Sequence, residues 1–176
     1  MQSVVNPGDH VIDATMGNGH DTLFLSQLVH TTGHVSAFDI QPTAIKSTAQ
    51  LLSDNQIFDD NYTLYQVSHS KISEVIPKEH KIKAAIFNLG YLPGGDKTII
   101  THHETSIPAI KQCLNLLETH GLVIVVLYYG HPGGEDEKKA IIDFAQSLDQ
   151  HEFNVLQYQF INQIQAPPIC LAFEKR

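Results

Sequence analysis

The chain has 176 residues, 42% of them hydrophobic, a size and composition that suit one globular domain burying roughly 70% of its unfolded surface. We therefore expect residues 1–176 to form a single domain. No run of 18 apolar residues and no cleavable leader is evident, so neither a membrane span nor a secretory signal is predicted, and the cytoplasm is the default compartment. Cys113 and Cys170 lie in apolar stretches and suit buried thiols of a reducing compartment better than a disulfide or a metal pair.

The formal net charge of −8 disfavours a general nucleic-acid binder, because phosphate contacts depend on Lys and Arg. The charge is unevenly distributed, however. Residues 61–111 hold six Lys against four acids, residues 1–60 hold one Lys against seven acids, and residues 112–176 hold four basic against eight acidic residues. The middle segment is compatible with a localised phosphate-facing edge, and lysines that contact only solvent explain it equally well.

Strand and helix patterns alternate along the chain. Strands are predicted at 11–14, 34–39, 62–67, 83–87 and 122–128, and helices at 21–29, 42–52, 71–76, 106–117 and from 135 onward. In the first helix, Leu23, Phe24 and Leu28 predict the buried face. Residues 153–161 and 169–174 then predict an antiparallel hairpin at the sheet edge. The pattern predicts an α/β fold with a mostly parallel, seven-stranded sheet.

A glycine turn follows the first strand, within V-I-D-A-T-M-G-N-G-H-D-T at 11–22. Gly17 and Gly19 would let the backbone approach a nucleotide-like ligand closely at the strand end. Asp39 closes the second strand 20 residues after Gly19, the distance at which an acidic side chain accepts hydrogen bonds from a ribose diol. Together they predict an adenosine-type ligand, with an ordinary strand-to-helix turn as the alternative.

The charges around this turn indicate which adenosine-type ligand binds. A dinucleotide fingerprint has a third glycine where this sequence has Thr22, and Asp13 and Asp21 would repel a pyrophosphate. The same carboxylates suit a ligand with an amino group and a sulfonium, so S-adenosylmethionine (SAM) fits better than NAD. The predicted cofactor-binding residues are Asp13, Thr15, Gly17, Asn18, Gly19, Asp21, Thr22, Asp39, Ile40, Gln41, Ser68, His69 and Asn88.

Within this set, Asp13, Gly17 and Gly19 are expected around the methionine part of the cofactor, and Asp39 at the ribose hydroxyls. The adenine is expected near Ile40, Ser68 and His69. His69 is equally compatible with a plain loop histidine.

The segment that should carry chemistry is N-L-G-Y-L-P-G-G-D-K at 88–97, after the fourth strand. Amine methyltransferases often place a D/N-P-P-Y/F tetrad here, and Asn88-Leu-Gly-Tyr91 resembles a variant in which both prolines are replaced. Such a tetrad holds a nitrogen nucleophile through acceptors, here the Asn88 side chain and the Leu89 carbonyl, while the Tyr91 ring packs on the target.

Methylation of an aliphatic amine also requires a proton acceptor, because such an amine is mostly protonated at neutral pH. Asp96 or His131 is predicted to accept the proton, directly or through water. The structural alternatives are that Asp96 caps the following turn and that His131 only lines a Pro-Gly loop.

Four motifs together resemble the YtqB-type family, long labelled rRNA methylases: D-A-T-x-G-N-G-x-D-T at 13–22, S-H at 68–69, the 88–97 motif, and Y-x-G-H-P-G-G-E at 128–135. The resemblance covers essentially the whole chain. It implies a Rossmann-like class I SAM-dependent methyltransferase fold. Because the family includes a tRNA 5-aminomethyl-(2-thio)uridine methyltransferase, it also implies methyl transfer from SAM to the aminomethyl nitrogen of a wobble uridine.

The implied partner is tRNA, contacted near its anticodon. The candidate residues for tRNA binding are Tyr91, Lys97, His102, His103, Lys111, Tyr129 and His131. His102-His103-Glu104 lacks the H-E-x-x-H spacing, so no metal site is predicted. An rRNA or small-molecule amine acceptor, a nicotinamide oxidoreductase and a SAM-binding module without catalysis are the alternatives, and a homodimer is left open.

Overall fold

The computed structural model describes residues 1–57 and 60–176, which build a seven-stranded sheet with helices on both faces. The strands are β1 (His10–Asp13), β2 (His34–Asp39), β3 (Tyr62–Gln66), β4 (Ile82–Leu89), β5 (Leu117–Leu127), β6 (Phe153–Tyr158) and β7 (Ile169–Lys175). The helices are α1 (His20–Val29), α2 (Pro42–Asp54), α3 (Ile72–Val75), α4 (His103–Leu116) and α5 (Gly134–Gln146), with short 3-10 turns at His30–Thr32 and His69–Lys71.

The strand order in the sheet is β3-β2-β1-β4-β5-β7-β6. The first five strands pair in parallel, and β7 is antiparallel to both β5 and β6. This is the class I methyltransferase sheet, so the predicted fold class and the predicted C-terminal hairpin are confirmed. The strand β6 ends at Tyr158, three residues before the predicted end.

The sheet is buried on both faces, as parallel strands generally are. Ile12 and Ala85 pack into the larger core on the side of α4 and α5, whereas their neighbours Val11 and Ala84 pack into a second core with α1. Successive side chains of a strand point to opposite faces, so β1 and β4 supply both cores at once.

The parallel register brings the ends of three strands together. β1 lies between β2 and β4, and all three run in the same direction. Asp13, Asp39 and Asn88 therefore arrive at one edge of the sheet, as predicted. In open α/β sheets, ligands bind at such an edge, where successive connections leave for opposite faces.

The predicted apolar face of α1 is only part of its buried surface, and Phe24 and Leu28 pack against the second core. The buried residues of this helix are Thr22, Leu25, Ser26 and Val29. Leu23, Phe24 and Leu28 are only half-buried. Apolar spacing does not identify Thr22, which is polar yet fully buried because its hydroxyl donates to the Asp13 carboxylate.

Two further boundaries differ from the prediction. α4 begins at His103 instead of residue 106, because the N–H groups of Thr105 and Ser106 already donate to the His102 carbonyl. β5 begins at Leu117 instead of residue 122, after an irregularity in its register with β4. Within the described ranges, no helix is long and apolar enough to cross a membrane.

His34 and His69 should each destabilise the fold as the pH falls below about 6.5, whereas the raised pKa of Asp13 acts in the opposite direction. Burial lowers the pKa of His34, the nearby His10 lowers it further, and burial also lowers the pKa of His69. At these two histidines the unfolded chain binds more protons than the folded chain, from the unfolded value of about 6.5 downward, so their contribution to stability falls with the pH in that window. In thermal unfolding, the wild type should therefore lose stability relative to His34→Gln as the pH falls below about 6.5, whereas the exposed control His151→Gln should follow the wild type. Parallel curves for His34→Gln and the wild type would contradict this assignment.

Candidate active site

A cavity of about 320 Å³ opens at the carboxyl ends of β1, β2 and β4. The predicted site residues that line it are Thr15, Gly17, Asp39, Ile40, Gln41, Ser68, His69, Asn88, Tyr91 and His102. The predicted site residues outside the described lining are Asp13, Asn18, Gly19, Asp21, Thr22, Leu89, Asp96, Lys97, His103, Lys111, Tyr129 and His131. The structure thus brings ten of the predicted residues to one cavity and places the others around or away from it.

Asp39 joins the ends of β1 and β2. Its Oδ2 accepts a hydrogen bond from the Gly17 N–H at 3.0 Å, and its Oδ1 accepts one from the Gln41 N–H at 2.9 Å. Each carboxylate oxygen can accept more than one hydrogen bond, so Asp39 retains acceptor capacity on its cavity side. This position and chemistry suit a ligand that carries neighbouring hydroxyl groups.

Asp13 supports the glycine turn from behind the cavity. It is fully buried, its Oδ1 accepts from the Thr15 N–H at 3.2 Å, and its Oδ2 accepts from the Thr22 hydroxyl at 2.6 Å. The pKa of Asp13 is raised to about 7, mainly by burial and less by the charges of Asp21 and Asp39, while the two hydrogen bonds act in the opposite direction. Three carboxyl groups therefore lie close together below the cavity, and their proximity and the burial of Asp13 favour its protonated form.

His69 lines the cavity, and one of its ring nitrogens is an unused acceptor. Its Nδ1 lies 3.2 Å from the Ala14 carbonyl oxygen, which can only accept, so Nδ1 carries the hydrogen. Burial lowers the pKa of His69 and keeps the ring neutral, which leaves a lone pair on Nε2. This buried Nε2 finds no hydrogen-bond partner among the described residues. A ligand that donates a hydrogen bond would satisfy it.

Asn88 is held at both its main chain and its side chain. Its N–H donates to the Thr15 hydroxyl at 2.7 Å, and its Nδ2 donates to Asp21 Oδ2 at 2.6 Å. Asn88 lies inside β4, one residue beyond the predicted strand end, and so on a regular element of the sheet. The adjacent Leu89 carbonyl accepts from the Tyr128 N–H at 2.8 Å, so any ligand would use its second lone pair.

Residues 90–101, which we call the flap, fold back over the cavity. Tyr91 and Ile100 form an antiparallel bridge, and the Thr101 N–H donates to the Gly90 carbonyl at 2.8 Å. At the tip, the Pro93 carbonyl accepts from Asn18 Nδ2 at 3.2 Å. This last hydrogen bond connects the flap to the glycine turn.

A buried carboxylate holds the base of the flap. Glu137 of α5 is 4% exposed and accepts from the Thr101 hydroxyl and from the Ser106 hydroxyl, each at 2.7 Å. The flap is therefore tied to α4 and α5 at its base, as well as to the glycine turn at its tip.

The two predicted proton acceptors differ in their surroundings. Asp96 accepts from the Thr98 N–H at 2.8 Å and from the Thr98 hydroxyl at 2.7 Å, which lowers the pKa of Asp96. It therefore caps the following turn. His131 Nδ1 lies 3.1 Å from the Pro132 carbonyl oxygen, and its Nε2 is buried with no partner in the described parts of the chain. The Tyr91 ring lies edge-on to His131 at 6.0 Å between centroids.

The predicted substrate-binding residues separate into two groups. Near the cavity, the Lys97 ammonium lies 5.9 Å from the centre of the Tyr91 ring, and His103 lies 3.4 Å from the Glu104 carboxylate. Lys111 and Tyr129 instead contact α5. The Lys111 ammonium lies 5.3 Å from the centre of the Phe144 ring, and the Lys138 ammonium lies 4.1 Å from the centre of the Tyr129 ring. The structure does not bring Lys111 and Tyr129 to the cavity.

Sequence reasoning missed the apolar wall of the cavity. The missed lining residues are Ala14, Phe38, Gly90, Leu92, Pro93, Ile99, Ile100, Thr101 and Thr105. Gly90, Leu92 and Pro93 lie within the 88–97 motif and could have been included. Ile99 and Ile100 carry no local signal, because only the folding of the flap brings them over the cavity. In the described ranges, no group of three His, Cys, Asp or Glu side chains could hold a metal ion.

Comparison with known proteins identifies the family. A family model described as "Putative rRNA methylase" matches residues 35–174. The chain belongs to this family. It is 38% identical over 181 residues to a protein of Arabidopsis thaliana named "tRNA (mnm(5)s(2)U34)-methyltransferase, chloroplastic". That match covers 99% of this chain and 66% of the relative, so the chain spans just under two thirds of the relative's length.

Two solved structures are similar to this member of the rRNA methylase family over nearly their whole lengths. One, described as a "putative rRNA-methylase" of Clostridium thermocellum, has a TM-score of 0.96 and 43% identity, over 99% of this chain and 92% of that one. The other, a "putative methyltransferase" of Streptococcus mutans in complex with SAH, has a TM-score of 0.90 and 40% identity, over 99% of this chain and 93% of that one.

Two glycines allow a direct test of how the glycine turn packs. Gly19 (φ 86°) and Gly94 (φ 80°) are both left-handed, but a Cβ on Gly19 would lie 2.8 Å from the Thr48 Oγ1 and 2.9 Å from its Cα, whereas a Cβ on Gly94 would meet nothing within 4 Å. Gly94→Ala should cost about 1 kcal/mol of unfolding free energy, from backbone strain alone. Gly19→Ala should cost about 2–4 kcal/mol, because it also pushes α2 from α1. Urea denaturation measures both, and equal losses would contradict the close packing.

Proposed function

We propose that this protein is a SAM-dependent N-methyltransferase acting on tRNA. It transfers a methyl group to the aminomethyl nitrogen of 5-aminomethyl-(2-thio)uridine at the wobble position, giving 5-methylaminomethyl-(2-thio)uridine. The observation that carries the proposal is the position of Asn88, an acceptor side chain on a regular strand, beside Asp39 in one cavity. The name of the Arabidopsis relative and the SAH in the Streptococcus mutans structure support it.

The cavity suits a cationic adenosine-type cofactor. Its described lining includes the Asp39 carboxylate but no Lys or Arg, so a pyrophosphate would find no cation there. Asp13 and Asp21 add negative charge nearby, and a sulfonium would favour the ionised form of Asp13. The unpaired Nε2 of His69 suits a donor such as an exocyclic amine. When bound, SAM supplies the methyl group.

We assign cofactor contacts to the residues that line the cavity on this side. Asp39 would accept from the ribose hydroxyls, Ile40, Ser68 and His69 would surround the adenine, and Gly17 would approach the methionine part. Asp13, Gly19 and Thr22 would act indirectly, because they shape the glycine turn from outside the described lining. These arguments, and the lack of a third glycine, disfavour a nicotinamide oxidoreductase.

The chain's own contribution to the reaction is to position the amine and to remove its proton. Asn88 Oδ1 and the second lone pair of the Leu89 carbonyl would hold the nitrogen, and alignment of a nucleophile with the transferred group supplies much of the rate in such displacements. Desolvation under the flap would lower the pKa of the amine and expose its lone pair.

His131 is the better of the two proton acceptors. Asp96 is fully exposed, and its two hydrogen bonds from Thr98 lower its pKa, which weakens it as a base. The Nδ1–H of His131 donates to the Pro132 carbonyl. In the neutral ring the lone pair is therefore on Nε2, which has no partner among the described residues. If Gly90 carried a Cβ atom, that atom would lie 3.9 Å from the His131 Nε2, and Gly90 directly precedes Tyr91. The amine proton would pass to the His131 Nε2 directly or through water.

Binding of tRNA would use the mouth of the cavity. Tyr91 is 41% exposed there with Lys97 beside its ring, which suits stacking against a base and contact with a phosphate. His102 and His103 lie at the adjoining start of α4. The anticodon region as the contacted part of tRNA, the cytoplasmic compartment and a homodimer stay predictions. An rRNA acceptor is the second candidate, favoured by the family description.

The decisive experiment is methyl transfer by the purified protein to tRNA isolated from cells that lack the corresponding gene. Digestion to nucleosides and mass spectrometry should show conversion of the aminomethyl nucleoside to the methylaminomethyl nucleoside in the presence of SAM. Parallel reactions with rRNA from the same cells should show no methylation. The reverse pattern would replace tRNA by rRNA. SAM binding without methylation of any of these RNAs or of small amines would indicate a binding module.

Asn88→Ala should lower kcat by about 100-fold or more, because the substitution removes the acceptor that aligns the amine. Calorimetric affinity for SAM should change by less than about 3-fold, because Asp39 and the glycine turn remain in place. Wild-type turnover by Asn88→Ala would remove Asn88 from the mechanism.

His131→Gln and Asp96→Asn distinguish the two proton acceptors. His131→Gln should lower kcat by about 100-fold, the usual contribution of a general base, and should change the pH dependence of kcat. Asp96→Asn should lower kcat by no more than about 3-fold, because Asp96 only caps a turn. The opposite ranking of the two variants would transfer the role to Asp96.

A further inference from the structure

The Asp21 side chain contacts Asn88 and lies outside the described cavity lining. Asp21 is in the first turn of α1 and Asn88 is near the end of β4, 67 residues further along the chain. Their side chains meet at 2.6 Å, between Asp21 Oδ2 and Asn88 Nδ2. This contact is short even for a hydrogen bond to an ionised acceptor.

The contact determines which way the Asn88 amide faces. An ionised carboxylate is an acceptor only, so the amide must turn its NH₂ group toward Asp21. Rotation of the amide by 180° would place Oδ1 against the carboxylate, with two acceptors in contact. Oδ1 is therefore the atom left for the cavity. The main-chain hydrogen bond of Asn88 to the Thr15 hydroxyl, at 2.7 Å, fixes the other end of the residue.

We propose that Asp21 is a positioning residue that orients the Asn88 amide, so that its oxygen and not its NH₂ group faces the substrate nitrogen. This inference rests on the proposed function. An NH₂ group in that place would donate a hydrogen bond to the amine's lone pair, the electron pair that must attack the methyl group. A correctly oriented amide accepts an N–H instead and leaves the lone pair free.

The position of Asp21 at the start of α1 links the orientation of the Asn88 amide to the glycine turn on the cofactor side of the cavity. Asp21 precedes Thr22, whose hydroxyl is bound by the buried Asp13 carboxylate, and it follows the Gly19 turn by two residues. The start of α1 is thereby held against the end of β1. The same helix start that shapes the glycine turn therefore aligns the acceptor for the substrate.

Kinetics of single variants provide the first test, with Asp54→Ala as a matched control. Asp54 also accepts from a side-chain amide, Gln50 Nε2 at 2.7 Å, but at an exposed position of α2. Asp21→Ala should lower kcat by about 10- to 100-fold while KM for tRNA changes by less than about 3-fold, because alignment is lost and binding is retained. Asp21→Asn should retain most of the activity, because its own amide oxygen can still accept from Asn88 Nδ2. A kcat for Asp21→Ala equal to that of Asp54→Ala would overturn the proposal.

Exchange of the two side chains provides a second test. Asn88→Asp alone would place two carboxylates in contact and should lower kcat by about 100-fold. The double variant Asp21→Asn/Asn88→Asp restores one N–H···O hydrogen bond with the roles reversed, and it still presents an oxygen to the cavity. It should recover at least about 10-fold over Asn88→Asp. No recovery in a double variant that folds as the wild type does would count against the pair.

Nuclear magnetic resonance tests the orientation without any substrate. The side-chain amide signals of Asn88, assigned by their loss in Asn88→Ala, should shift in Asp21→Ala and stay unchanged in Asp54→Ala. Unchanged Asn88 signals in Asp21→Ala would overturn the proposal even if tRNA is methylated. If tRNA is not methylated by the wild type, the proposed function fails, and the amide signals still decide whether Asp21 orients Asn88.

Discussion

The parallel pairing of β1 with both β2 and β4 is the constraint on which the rest of the site depends. It places the glycine turn, the Asp39 carboxylate and the Asn88 amide at neighbouring strand ends. The hydrogen bond from the Gly17 N–H to Asp39 then joins two of these ends. Side chains held on strands have few accessible rotamers, so their mutual geometry is largely established before a ligand binds.

The concentration of negative charge at this edge is costly in the free protein. Asp13 is fully buried, and burial together with the neighbouring carboxylates raises its pKa to about 7. Two hydrogen bonds, from the Thr15 N–H and the Thr22 hydroxyl, offset part of that cost. A cation in the adjacent cavity would offset more. A positively charged ligand would favour the ionised carboxylates and a pyrophosphate would oppose them, which is the physical reason to prefer a sulfonium cofactor over a dinucleotide.

Much of this arrangement could be predicted from the sequence, since strands, turns and their order are local properties. Asp39 and Gly17 could be identified from a strand pattern, a glycine turn and the spacing between them. The confirmed sheet brings the two residues together. The orientation of Asn88 could not be predicted, because it depends on Asp21, a residue 67 positions away that resembled a cofactor ligand. Part of the buried face of α1 was missed for a related reason. Hydrophobic periodicity cannot recognise a threonine that is buried because a distant carboxylate satisfies its hydroxyl.

The flap connects the glycine turn to Glu137 of α5. Its tip accepts a hydrogen bond from Asn18 of the glycine turn, and its base is held by Glu137 through the Thr101 hydroxyl. A Cβ on Gly17 would lie 3.2 Å from the Leu92 side chain, so the turn and the flap also pack directly against each other. A displacement of the glycine turn by a ligand must therefore move the flap or break these contacts. Since Tyr91 lies on the same flap, the flap couples the position of Tyr91 to that of the glycine turn.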